Sequence, residues 1–244
     1  MMRYKTSLDK GVPFWAEEAA RRDMERSPLL RRILKRCPAN LSEPVFDGQR
    51  EIESSWSSYK DHGYGRLFYF LVREIKPAQC VELGVLQGFS LLTTAGALRD
   101  NGLGKINGYD LFEDYPFHNA KQSEVQAKID SFKLSRWASI ERADAFTVCE
   151  RYESADMLHV DLSNNGDTFR KTFADWSLKV KSVILFEGGG LGRDKVEWMI
   201  KYDKPAIVPA LEDIRRDYPQ WEITVFEPFP SLTVAIRKNA GEMS

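Results

Sequence analysis

The residues best placed to do chemistry are carboxylates that follow short apolar runs, with a glycine loop among them. Val81-Glu82-Leu83-Gly84-Val85-Leu86-Gln87-Gly88-Phe89-Ser90 takes an apolar strand into a turn with two glycines and then straight into a helix. Glycine permits positive φ at such a turn and lets a ligand approach the backbone, while the helix N-terminus presents unpaired N–H groups. Taken alone, the same turn also serves as an ordinary strand-to-helix connection. Its spacing reads E-x-G-x-x-x-G-x-S. A pyrophosphate held against a helix dipole is usually marked by G-x-G-x-x-G. The carboxylate of Glu82 opposes a pyrophosphate and suits a cationic ligand that carries an ammonium and a sulfonium.

Four more carboxylates, Asp110, Asp144, Asp161 and Glu187, stand at the ends of later apolar runs. In an open α/β sheet, ligands lie beyond the carboxyl ends of the strands, where the strand order reverses. One acidic residue at such an end is commonly a helix N-cap; several at successive ends, beside a glycine loop, read as a site. Asp161 and Glu187 are expected to end adjacent strands and to face the acceptor side of the cleft. Three histidines complete the set of proton carriers. His159 falls inside a strand and reads as a core residue, whereas His118 and His62 fall in loops that could reach the cleft and serve as a base. Trp56, Tyr59, Tyr64, Phe112 and Phe117 could wall the acceptor or the sulfonium.

The elements that must position these residues alternate. Short apolar runs of the kind a buried parallel strand shows occur at 79–83, 106–111, 138–142, 157–162 and 181–186, with helical segments at 66–75, 89–98, 121–132, 147–152 and 167–176 between and before them. Helices are expected near 196–201 and 207–218, and two strands at 222–226 and 232–237 close the chain as antiparallel neighbours. This predicts a doubly wound, Rossmann-like α/β sheet, mostly parallel with an antiparallel last strand. Residues 1–63 read as a helical appendage, a lid or an oligomerisation element, and 64–244 as the ligand-binding domain. In the appendage, Ser27-Pro28 supplies an N-cap and a first-turn proline. Leu29, Leu30, Ile33, Leu34 and Cys37 then recur at helical spacing before Pro38, with Arg31, Arg32, Lys35 and Arg36 on the other face. Such a stripe is expected to pack on its own domain.

The run at 81–90 resembles motif I of the class I S-adenosylmethionine-dependent methyltransferases, and the resemblance extends over about residues 64–238. It implies that Glu82, Gly84, Gly88 and Ser90 surround S-adenosylmethionine and that Asp110, with Leu111 after it, accepts hydrogen bonds from the ribose hydroxyls. Asp144 and Ala145 would meet the adenine, and Asp161 would close the cofactor site. Within the superfamily the chain is most similar to the small-molecule O-methyltransferases of the macrocin and cephalosporin-hydroxylase-like group. There the fourth and fifth strands end in acidic pairs that hold a divalent metal. Asp161 and Glu187 match, and Ser163 and Gly188 replace the second acidic residues, so Mg²⁺ or another divalent ion would rest on two carboxylates. The implied reaction is methyl transfer to a small-molecule acceptor, a hydroxyl of a sugar or secondary metabolite. A nucleotide-dependent oxidoreductase and a non-catalytic cofactor-binding module remain the alternatives.

The whole chain narrows the setting. Its 244 residues suit one sizeable α/β core, and 43% hydrophobic and 29% charged residues are ordinary for a folded protein. A net charge of -1 gives no global attraction to nucleic acid. Cys37, Cys80 and Cys149 form no CxxC pattern, and no run of some 18 or more apolar residues suggests a membrane span. A cytoplasmic protein with reduced thiols, free of nucleic-acid and membrane partners and forming a homo-oligomer through its N-terminal helices, is the expectation.

Overall fold

The computed structural model describes residues 27–36, 44–55, 57–59, 63–117, 120–226 and 230–238. Two helices, α1 (Pro28–Arg36) and α2 (Gln49–Glu53), precede α3 (Tyr64–Ile75). The sheet then forms from β1 (Gln79–Leu83), β2 (Lys105–Asp110), β3 (Ala138–Arg142), β4 (Ala155–Val160) and β5 (Val180–Glu187). Helices α4 (Phe89–Asn101), α5 (Gln122–Ser131), α6 (Ala145–Val148) and α7 (Gly166–Trp176) lie between these strands. The chain ends with α8 (Glu197–Lys201), α9 (Ile207–Asp217), β6 (Trp221–Phe226) and β7 (Leu232–Arg237).

The seven strands take the order β3-β2-β1-β4-β5-β7-β6. All neighbouring pairs from β3 to β5 are parallel, and β7 is antiparallel to both β5 and β6. The expected doubly wound sheet is therefore present, and the expected antiparallel last strand, β7, makes both antiparallel pairings. From β1 the chain winds outward through β2 and β3, then returns to place β4 on the other side of β1. The order reverses between β1 and β4, so a crevice opens at their carboxyl ends.

Alternation along each strand sends side chains into two cores. Cys80 and Met157 join the core under α3, α4 and α5, while Val81, Leu83, Leu158 and Val160 join the one under α7 and α9. Glu82 and His159 share the first face and sit opposite one another in the β1–β4 register. His159 is thus the core residue its position predicts, 2% exposed.

Helix α1 packs as its periodicity predicts. Pro28 opens it, the Leu30 N–H donates to the Ser27 hydroxyl at 3.4 Å, and Leu29, Leu30 and Ile33 are buried in the same core as α3. Burying a Leu or Ile of this kind stabilises by about 1.5–3 kcal/mol. On its outer face Arg32 and Arg36 both pair with Glu74. Among the described residues no helix is long and apolar enough to cross a membrane.

Candidate active site

The glycine loop fills the gap between β1 and α4, and its backbone is held from three sides. Gly84 has φ +88, and its N–H donates to the Tyr109 carbonyl at 2.8 Å. A Cβ at Gly84 would fall on the Asp161 carbonyl oxygen, because β4 ends directly against it. The Asp161 N–H in turn donates to the Leu83 carbonyl at 2.8 Å. The space at Gly84, which a ligand was expected to need, is thus taken by the protein's own backbone. Gly88, at φ +84, opens α4. Leu86 lies between the two glycines at φ +46, a left-handed conformation that is costly for a residue with a side chain and typical of functional loops. From the appendage side, the Lys128 ammonium of α5 donates to the Gln87 carbonyl at 3.1 Å and to the Ser55 hydroxyl at 2.9 Å.

Asp110 is the keystone of this loop. Its Oδ2 accepts the N–H of Val85 at 2.7 Å and of Leu86 at 2.9 Å, and its Oδ1 accepts the N–H of Phe112 at 2.8 Å. A carboxylate offers about four lone-pair directions, so one remains for a ligand hydroxyl. Phe112, fully buried, also has positive φ, +49. Asp144 caps α6 by accepting the Phe146 N–H at 3.0 Å, and Ala145 is buried behind it. Leu111 and Phe146, 39% and 42% exposed, flank this end of the crevice with apolar surface.

Glu82 departs from expectation. It is fully buried, and its Oε1 accepts the Ser90 hydroxyl at 2.6 Å. Its Oε2 lies 3.7 Å from His159 Nδ1 and has no hydrogen-bond partner. Strand alternation turns this carboxylate into the core beside Phe68 and His159 and away from the crevice. Its effect on a ligand is therefore a buried negative charge behind the loop, with Ser90 between them, and not a direct contact.

Asp161 and Glu187 do converge, and their carboxyl groups are hydrogen-bonded to each other. Burial, foremost, and then the charges of Glu187 and Glu82 hold the Asp161 carboxyl well above the usual range, with Arg193 pulling the other way. The Ser58 hydroxyl donates to Glu187 Oε1 at 3.1 Å, and Arg193 Nη2 to Glu187 Oε2 at 3.5 Å. Asn164 braces the base of the pair, its amide donating to the Val160 carbonyl at 3.0 Å and the Glu187 carbonyl at 2.9 Å. The buried Tyr59 hydroxyl has no hydrogen-bond partner. Burial and the nearby charges of Asp161 and Glu187 raise its pKa far above the normal phenol value. Across the crevice, Tyr115 and Ser163 join hydroxyls at 2.6 Å and tie the loop after β2 to the loop after β4.

These residues do not fit a divalent ion. Among the described residues no three His, Cys, Asp or Glu side chains gather as a metal would require. A guanidinium already stands against one of the two carboxylates that meet. A Mg²⁺ at Asp161 and Glu187 would therefore rest, among the described residues, on those two carboxylates alone, beside a fixed positive charge. Tyr64 and Phe112, counted as an aromatic wall, lie in the core, whereas Phe117 is 67% exposed against the Tyr115 ring. His118, His62 and Trp56 lie outside the described residues. Ser58, Asn164 and Arg193 were not foreseen as site residues. Arg193 follows a glycine turn six residues past Glu187, and only the turn brings it back.

The reversed strand order, the glycine loop at the crevice and the acidic strand ends define a doubly wound, Rossmann-like fold. A family described as a methyltransferase domain matches residues 81–187, which run from β1 to the end of β5 and contain every strand-end carboxylate named above. Solved structures agree in fold. The SAH-bound Podospora anserina methyltransferase PaMTH1 is 16% identical with a TM-score of 0.60, covering 98% of this chain and 99% of its own. The O-methyltransferase TomG from Streptomyces achromogenes, involved in tomaymycin synthesis and solved with SAM, is 14% identical with a TM-score of 0.59, over 98% and 100% of the two chains. An O-methyltransferase from Bacillus cereus in complex with SAH is 16% identical with a TM-score of 0.53, over 95% and 100%. No curated protein matches.

Proposed function

We propose that this protein transfers the methyl group of S-adenosylmethionine to a hydroxyl oxygen of a small acceptor. The observation that carries this reading is the juxtaposition, at one switch point of the sheet, of a backbone loop closed by Asp110 and the convergent carboxylates of Asp161 and Glu187. The methyltransferase-domain match over the same residues supports it, as do the SAM- and SAH-bound proteins of like fold. Asp110 would take a ribose hydroxyl on its remaining lone pair, and the apolar surfaces of Leu111 and Phe146 would flank the adenine over Asp144 and Ala145. The N–H groups opening α4 would meet the methionine carboxylate beside Gly88 and Ser90. The sulfonium would lie toward Asp161, with the buried charge of Glu82 behind it.

The chemistry is a direct displacement. The acceptor oxygen attacks the methyl carbon, the C–S bond breaks with its electrons going to sulfur, and S-adenosylhomocysteine leaves. The acceptor's proton passes to the ionised member of the Asp161–Glu187 pair. The cofactor brings its own electrophile, so alignment within the crevice supplies most of the rate. Ser58 and Tyr59 hold hydroxyls beside the pair and would orient an oxygenated acceptor. The free, buried thiols of Cys80 and Cys149 suit a cytoplasmic setting.

Calorimetric titration with S-adenosylmethionine and with NADH tests the cofactor. Mass-spectrometric detection of S-adenosylhomocysteine against a panel of catechols and sugar diols tests the transfer. Binding of NADH without binding of S-adenosylmethionine would overturn the reading, and a protein that binds the cofactor but methylates no member of a broad panel would leave it a sensor and not an enzyme.

A further inference from the structure

Among the described residues, the cation beside the Asp161–Glu187 pair is Arg193, and its placement depends on a missing side chain. Gly188 has φ +99, and a Cβ there would stand 3.1 Å from Arg193 Cγ, 3.6 Å from Arg193 Nε and 3.0 Å from Ile207 Cδ1. The aliphatic stem and the Nε of Arg193 therefore lie over the face of Gly188, in space that any carboxylate at that position would claim. The guanidinium reaches back to Glu187, its Nη2 3.5 Å from Oε2, and rests over the Trp198 ring at 5.4 Å. Only 8% of Arg193 is exposed, and its Nε is buried with no hydrogen-bond partner. A guanidinium is always charged and is more weakly hydrated than an ammonium, which suits it to a buried pair.

We propose that Arg193 is the resident cation of the acceptor site: with Gly188 making room, its guanidinium occupies the place beside Glu187 where a divalent ion would have to sit. The proposal rests on the functional reading only in taking the pair as the acceptor side. Two carboxylates facing each other require positive charge. Arg193 supplies it at Glu187, leaving Glu82 behind and the phenol of Tyr59 above. Arg193 acts as a positioning residue. It fixes the orientation of Glu187 together with Ser58.

The test uses Mn²⁺ as the probe, read by electron paramagnetic resonance on the full chain saturated with S-adenosylmethionine. The wild type is compared with Arg193→Met, which keeps the stem and removes the charge, and with Arg193→Lys, which keeps the charge. Arg193→Met is expected to bind Mn²⁺ at least fivefold more tightly than the wild type, and Arg193→Lys to stay within about twofold of it. A gain below fivefold in Arg193→Met, or an equal gain in Arg193→Lys, overturns the proposal. Should Arg193→Met fail to fold, Arg193→Gln takes its place under the same threshold. Calorimetry with S-adenosylmethionine on the same samples separates the two readings: lost cofactor binding in the wild type would strike the functional assignment, whereas the Mn²⁺ comparison, repeated without cofactor, judges Arg193 alone.

Discussion

Removing the carboxylate of Asp110 should cost this protein stability and cofactor together, and the two losses can be sized from the three backbone N–H groups that it accepts. In Asp110→Ala, the donors of Val85, Leu86 and Phe112 lose a charged acceptor. Hydrogen bonds to a charged group contribute about 1.5–3 kcal/mol each. Asp110 is partly exposed, so water replaces some of them. Val85 and Phe112 are buried, and their N–H groups are the ones water reaches least. A net loss of about 2–4 kcal/mol follows, equivalent to a fall of roughly 1–2 M in the urea midpoint for an m-value of about 2 kcal/mol/M. Losing the proposed ribose contact would cost binding about 1.5–3 kcal/mol more, a weakening of roughly 10- to 150-fold. Asp110→Asn keeps one acceptor oxygen for Val85 and Leu86 and turns its NH₂ toward Phe112, so about half the stability loss should remain. Urea unfolding followed by circular dichroism, with and without S-adenosylhomocysteine, gives the first number, and calorimetry the second. An alanine variant with an unchanged midpoint and affinity within about threefold of wild type would refute both the keystone role and the ribose contact.

Further outcomes follow from the same geometry. Asp161 binds its proton more tightly folded than unfolded, so stability should fall as pH rises from the ordinary Asp range through the raised folded value. Asp161→Asn should remove that slope, its advantage over wild type in thermal midpoint growing from pH 5 to pH 8; parallel curves would count against a raised Asp161 carboxyl. Tyr59→Phe deletes a buried hydroxyl that has no partner, so it should leave stability unchanged or raise it by up to about 1 kcal/mol, while slowing methyl transfer if that hydroxyl meets the acceptor. A drop in the urea midpoint would show that the hydroxyl is satisfied. Ile33→Ala should destabilise the whole protein by about 2–5 kcal/mol in a single transition, because α1 shares the core of α3; a separate early transition would make the N-terminal segment an independent unit.

Most of the fold was legible because apolar runs and turn residues mark parallel strands clearly. The expected strands at 79–83, 138–142 and 232–237 coincide with β1, β3 and β7. The run expected at 157–162 overshoots β4, since Leu162 continues the apolar pattern after the ladder has ended at Val160. Helix α2 escaped notice: five residues are too few for a period, and its start depends on Gly48 at φ +85. The site was only half legible. Residue type and strand position brought Asp110, Asp161 and Glu187 to one crevice. The facing of Glu82 was misread because both faces of β1 are covered, so an acidic residue there can be as buried as Cys80 beside it. Ser58 and Arg193 enter through chain reversals, at the end of the N-terminal segment and in the 188–192 turn, which no local pattern encodes.

Gly84 lies directly against the Asp161 backbone, and this bears on how such chains diverge. A side chain at that position would push β4 away from β1, so selection for a folded sheet alone keeps the glycine. A duplicated copy that no longer methylated anything would still carry it and would still look like kin. The positions first released to drift would be Ser58 and Arg193, whose polar atoms turn to Glu187. Across a lineage, the variation at those two would record changes of occupation, while Gly84 would record only descent.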